Sequence, residues 1–181
     1  FERAGDLTKA AAMYGMVLAD KSPKNEDARK KSSQFVASIF EKTGQYQKAA
    51  ESYEAYIKKN PKDKESQAFL FNAAIIRDGM NNYGPAQNNY QQYFETTKGK
   101  DRWEILLLMA QLQERKGNIA KALEFYKQYY DARPSNKAGL IEAAYKVAKI
   151  HQAKNHKTDF EDWCKKVIYQ VKAHSTKEEP V

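Results

Sequence analysis

The 181-residue chain has little of what most chemistries need. One cysteine, Cys164, excludes an internal disulfide framework and a thiolate metal cage. Three histidines leave few candidates for acid–base work or metal ligation. No run of 18 apolar residues occurs, so no helix spanning a membrane is expected. Glycine and proline are scarce, eight and five, and gather at Pro23, Gly44, Pro61, Gly79, Gly84-Pro85, Gly99, Gly117 and Pro134. That punctuation argues for helices joined by short turns and against a strand-rich fold. No glycine-rich loop has the spacing or the lysine that cradles a phosphate.

What is abundant is charge and tyrosine. The net charge is +8, yet no block carries it: 13 basic against 9 acidic residues in 1–64, 9 against 8 in 65–136, and 9 against 6 in 137–181. A nucleic-acid footprint should be more clustered, and Arg29-Lys30-Lys31 reads as a solvated face. Mean hydropathy is −0.86, as expected of a thin molecule with much surface for its volume. Twelve tyrosines suit helix seams where one end of the ring is packed and the other is wet.

Helical spacing then orders the chain. Trp103, Leu106, Leu107, Met109, Ala110 and Gln113 line one side of a helix that Gly117 stops. Asn118 starts a second, with Ala122, Phe125, Tyr126 and Tyr129 on its packed side, and Pro134 ends it. An alanine followed four residues later by a tyrosine recurs at Ala10/Tyr14, Ala49/Tyr53, Ala86/Tyr90 and Ala122/Tyr126, at steps of 39, 37 and 36. Three of the four continue to Tyr56, Tyr93 and Tyr129. Periods of this size mark stacked helical hairpins.

These residues resemble the tetratricopeptide repeat, whose pattern is a W-x2-L-G-x2-Y run, then A-x3-F, then P. Leu106-x2-Met109-Ala110-x2-Gln113 with Ala122-x3-Tyr126 and Pro134 fits it, as does Ser33-x2-Val36-Ala37-x2-Phe40 with Ala49-x3-Tyr53 and Pro61. Leu70-x2-Ala73-Ala74-x2-Arg77 with Ala86-x3-Tyr90 departs from it, with Arg77 where an aromatic belongs. The resemblance implies an all-α, right-handed solenoid of antiparallel hairpins. Its expected parts are half a repeat in 1–20, repeats in 24–60, 63–98 and 101–134, a divergent hairpin or cap in 137–174, and a tail in 175–181. The chain opens on Phe1 inside a repeat, so further repeats or a leader are expected upstream. The surplus over the family's usual period is expected in the turns between units.

Several local features are also expected. Ala10, Met13, Tyr14 and Val17 should be the packed side of the first helix. Ser22-Pro23 should open the second, which buries Phe35, Val36, Ile39 and Phe40. Gly79–Gly84 should be the longest irregular turn, before Pro85 opens a helix, and Asp101 should cap the next. Leu140, Ala143, Ala144, Val147 and Ile150 should pack the penultimate helix. Thr158-x-x-Glu161 reads as a capping box for a last helix ending near His174, with Phe160, Trp163, Val167 and Val171 buried.

No catalytic constellation emerges, and no cofactor or metal is expected. His151 and His156 stand five apart without a carboxylate or cysteine to complete a metal set, and are read as exposed. Cys164 is read as a half-buried small residue. The function implied by the resemblance is a non-catalytic scaffold that holds another protein's peptide or amphipathic helix in a concave groove lined by the first helix of each repeat. The groove stripe would be Gln34/Ser38, Phe71/Ile75 and Leu107/Gln111, with Ile141/Tyr145 as the loosely equivalent last pair. The family's carboxylate-clamp members need Lys and Asn at these places, so an apolar or amphipathic ligand is favoured over an acidic C-terminus. The alternatives are a basic binder of nucleic acid or another polyanion, and a self-associating module. Similarity to bacterial cell-envelope members of the family suggests a periplasmic or envelope location, with the cytoplasm as the other.

Overall fold

A computed structural model describes residues 6–20, 22–99 and 101–175. Among them every regular element is helical. α1 is Leu7–Ala19, α2 Glu26–Lys42, α3 Tyr46–Lys59, α4 Lys64–Gly79, α5 Tyr83–Thr96, α6 Glu104–Arg115, α7 Ile119–Ala132, α8 Lys137–Ala153 and α9 Lys157–Ser175, with single 3-10 turns at Pro23–Asn25 and Asp101–Trp103. The chain forms two compact units, one to Tyr93 and one from Phe94. Within the first, α1 packs on α2, α2 on α3 and α3 on α4; within the second, α6 packs on α7, α7 on α8 and α8 on α9.

One turn is used four times. After α2, α4, α6 and α8 the chain passes through a residue in the left-handed region: Gly44 (φ 73°), Asn81 (φ 58°), Gly117 (φ 75°) and Asn155 (φ 57°). The next N–H reaches back across the turn, Gln45 to the Phe40 carbonyl, Asn82 to Arg77, Asn118 to Gln113 and His156 to His151, at 2.8 to 3.0 Å. This closure satisfies the otherwise orphaned carbonyls of the helix end. Glycine adopts the conformation without strain, and asparagine is the side chain that tolerates it best. The hairpin turn is constant, so the variation in period lies outside it.

The seams also repeat. Ala10, Ala49, Ala86 and Ala122 are all buried, and the tyrosines four residues on, Tyr53, Tyr90 and Tyr126, are at most 2% exposed. An alanine lets a neighbouring helix approach closely, and the ring beside it fills the space. Each of these buried hydroxyls donates to an acid twelve residues earlier, across its own hairpin: Tyr53 to Glu41 (2.6 Å), Tyr90 to Asp78 (3.3 Å) and Tyr126 to Glu114 (2.8 Å). Burial, then the adjacent carboxylate, pushes the Tyr53 and Tyr126 hydroxyls well above their ordinary range, so they stay protonated donors. In the first unit Ala37, Ala49, Tyr53 and Ala73 form a core with Phe40, Phe69 and Ile76 against it. In the second, Leu106, Ala110, Tyr126, Tyr129, Leu140, Ala143, Val147 and Trp163 do so.

The structure corrects several expectations. Gly79–Gly84 is not a long irregular turn: α4 includes Gly79, the turn centres on Asn81, and α5 has begun by Tyr83, with Pro85 in its first turn. There the missing N–H is one the helix leaves unbonded anyway. Pro23 opens a 3-10 turn, and α2 follows from Asn25, which makes no side-chain cap. Thr158 does not cap α9, because the Asn155 turn delivers the chain directly into helix at Lys157. Met13 is 51% exposed, since α1 packs through Ala10 and through Tyr14, which stacks on Phe35 at 5.2 Å. Phe35 and Val171 keep 42% and 43% of their surface in spite of their apolar character. Asp101 does not stand at the start of α6: it opens the 3-10 turn Asp101–Trp103, and the N-cap position of α6 falls on Trp103, which makes no side-chain cap. Residues 176–181 of the tail lie outside the described residues.

Candidate functional site

The first helix of each hairpin carries the candidate binding residues. Counted back from the left-handed turn residue, Gln34 and Ser38 precede Gly44 by ten and six positions. Phe71 and Ile75 stand identically before Asn81, and Leu107 and Gln111 before Gly117. The same count from Asn155 gives Tyr145 and Lys149. The last pair is thus one helical turn beyond Ile141/Tyr145. The landmark that would have fixed the register is missing, because the last hairpin has Phe160 and Cys164 where the others have alanine and tyrosine.

In the first unit, Gln34 is tied down by donating from Nε2 to the Tyr56 hydroxyl at 2.8 Å. Ser38 is half-buried. Phe71 is half-buried with its ring tilted against Tyr93 at 5.7 Å, and Ile75 one turn on is 40% exposed. The helix AFLFNAAII is therefore apolar all round for two reasons: Leu70, Ala73 and Ala74 are packed, while Phe71 and Ile75 leave an apolar strip towards water. In the second unit Leu107 is buried in the core and presents little surface. Gln111 donates to Glu142 at 2.7 Å, linking α6 to α8. Ile141 is half-buried and Tyr145 is 52% exposed. Tyr145 and Lys149 line a shallow depression of 400 Å³ with Ala148, Phe160, Cys164 and Val167.

Sequence reasoning missed a polar cluster inside the first unit. Arg77 occupies the slot that Phe40 fills one hairpin earlier, and it is 5% exposed. Its guanidinium grips Glu54 through Nε (2.9 Å) and a terminal nitrogen (2.6 Å) and donates to Gln47 (3.0 Å), while Asn89 donates to Glu54 (3.0 Å). Burial opposes ionisation of Glu54, but the Arg77 and Asn89 bonds outweigh it and hold the carboxyl below its ordinary range. Arg77 as a departure from the repeat pattern was the visible signal. In the second unit Glu114 receives Lys146 (2.8 Å) as well as Tyr126; again burial is outweighed and its pKa is lowered.

The histidines also differ from expectation. His151 is 5% exposed rather than solvated, and its Nδ1 lies 3.4 Å from Nδ1 of His156 and 3.6 Å from Oδ2 of Asp159. Burial, then Lys127, lowers its pKa below the usual histidine value. The carboxylate that the spacing of the histidines did not suggest is thus supplied by the first turn of α9.

Paired antiparallel helices, closed by one recurrent turn and copied along the chain with alanine–tyrosine seams, define an all-α helical repeat solenoid. Family models of the tetratricopeptide repeat match residues 33–65 and 71–137, together more than half of the chain, and the protein belongs to that family. Solved structures agree in fold: MamA at TM-score 0.66 and 15% identity, covering 97% of this chain and 94% of that one; nearly identical TPR-like repeats of a Podosopora anserina kinesin light chain at 0.64 and 15%, covering 98% and 92%; and YrrB, a TPR protein with an unusual peptide-binding site, at 0.62 and 12%, covering 93% and 80%. No curated protein sequence matches the chain.

Proposed function

We propose that the protein is a scaffold that binds a peptide or amphipathic helix of another protein on the outward strip of its first-in-hairpin helices, and that it performs no catalysis. The observation that carries this is the Phe71/Ile75 strip on α4. A helix whose far side already supplies the core gains no packing from a 40% exposed isoleucine beside a half-exposed phenylalanine, whereas a partner's apolar side chains would. The likeness to YrrB, whose peptide-binding site is named for that protein, supports the same reading. The test is a displayed peptide library panned on the protein, followed by affinity measurement. Phe71→Asp with Ile75→Asp should abolish binding of the selected peptides while the helical circular dichroism is retained; undiminished binding rejects the site.

A second reading, self-association, draws on the surface of α8 and α9. Tyr145 (52%), Ile168 (53%) and Tyr169 (67%) are all exposed there. The place of Ile168, thirteen residues past the left-handed turn residue, is held in the first unit by Ile57, which is only 5% exposed. Light scattering on the purified chain, with Ile168→Asp as control, decides it: a dimer that the substitution splits supports this reading, and a monomer removes it.

A further inference from the structure

We propose that His151, His156 and Asp159 form a binding site for a divalent transition-metal ion of the zinc class at the turn between α8 and α9. The three ligand atoms lie within 4.8 Å of one another. Tetrahedral coordination with metal–nitrogen bonds of about 2.0–2.1 Å places neighbouring ligand atoms about 3.3 Å apart. The two Nδ1 atoms stand at 3.4 Å and the Asp159 oxygen is 3.6 Å from His151 Nδ1, so two edges of the tetrahedron are nearly made. The Asp159 side chain is 57% exposed and free to rotate to close the third.

The backbone presets this arrangement. His151 is the last-turn residue of α8 whose carbonyl accepts the His156 N–H at 3.0 Å, and Asn155 between them holds the left-handed conformation that turns the chain back. The turn used in all four hairpins therefore brings residues five apart together, a spacing that would separate them on a continuous helix. Only in this hairpin are both positions histidine; the others carry Phe40/Gln45, Arg77/Asn82 and Gln113/Asn118. Two imidazoles and a carboxylate suit zinc, nickel or copper and not magnesium or calcium, and water would complete the coordination.

Two features limit affinity to the micromolar range. A metal on Nδ1 puts the His151 proton on Nε2, which is buried with no hydrogen-bond partner, whereas tight sites give that proton an acceptor. Lys127 and Lys154 lie near enough to depress the His151 pKa and oppose a cation. Bound metal would staple α8 to α9 and stabilise the hairpin that carries Tyr145 and Lys149.

Titration calorimetry of the tag-free protein with zinc chloride, and with magnesium chloride as control, tests this. One zinc per chain with micromolar Kd and no magnesium binding is expected, with Tm raised by roughly 5–10 °C at a hundredfold excess over Kd. Because His151 is buried, the variants are at the exposed positions: His156→Ala and Asp159→Asn should each weaken zinc at least tenfold without lowering the metal-free Tm by more than a few degrees. Cobalt should give the visible absorption of a tetrahedral site, lost in His156→Ala. Zinc binding weaker than millimolar, or binding that both variants retain, overturns the proposal.

Discussion

Arg77→Met isolates one buried charge with little change of side-chain volume. The parent pair is held by two guanidinium bonds, with Arg77 and Glu54 side chains 7% and 29% exposed. Removing one member of a buried pair costs about 3–5 kcal/mol, because the other charge stays desolvated without compensation. The exposure of Glu54 puts this case at the lower end, about 3 kcal/mol, or a fall in Tm of about 10 °C for a chain of this size. The double variant Arg77→Met with Glu54→Met should recover most of the loss, since apolar replacement of a whole buried pair is often neutral. The pH dependence has a fixed sign. Glu54 has a lowered folded-state pKa, so its stabilisation is present above the ordinary glutamate range and is lost as pH falls through the folded value. The gap between parent and Arg77→Met should accordingly narrow in acid. Thermal and urea melts followed by circular dichroism at neutral and acidic pH give both quantities. A single variant that melts with the parent, or a gap that does not change with pH, refutes the reasoning.

Other perturbations probe the seams by the same melts. A Cβ on Gly139 would run into the Tyr129 hydroxyl and stand 2.9 Å from Tyr129 Cζ and 3.0 Å from Asn136 Nδ2, so Gly139→Ala should cost about 1–3 kcal/mol although alanine is the better helix former. A neutral or stabilising result would show that Tyr129 gives way freely. Ala122 has no exposed surface, and Ala122→Arg should destabilise by several kcal/mol through excess volume and a buried charge. Tyr126→Phe leaves Glu114 with Lys146 and should cost about 1 kcal/mol, visible as a shift in urea midpoint without a change in slope.

The fold was legible where one residue type does one physical job. Alanine and tyrosine at helical spacing announced the seams, and Gly44 and Gly117 announced two of the turns. The other two turns are built on Asn81 and Asn155, and asparagine is common in many settings, so Gly79 and Gly84-Pro85 nearby drew the boundary to the wrong place. The burial of Arg77 and His151 was hidden for a related reason. Each looks polar in a linear pattern, and its surroundings come from other segments: Arg77 is bonded to Glu54 and Gln47 of the preceding hairpin, and His151 lies beside His156 and Asp159 past the turn. In the candidate site, Gln34 and Phe71 could be placed on the right helices, but whether a residue there faces a neighbour or water depends on the packing around it. Leu107 and Phe71 hold the same position, ten residues before the left-handed turn residue, yet Leu107 is buried in the core and Phe71 is only half-buried.

The central claim, that partners are held by the first helix of each hairpin, is tested most directly by titrating a library-selected peptide into isotope-labelled protein and following chemical-shift changes by NMR. The account predicts saturable shifts centred on Phe71 and Ile75 of α4 and on Tyr145 and Lys149 of α8. Shifts confined to the second helices α3, α5, α7 and α9 would contradict it.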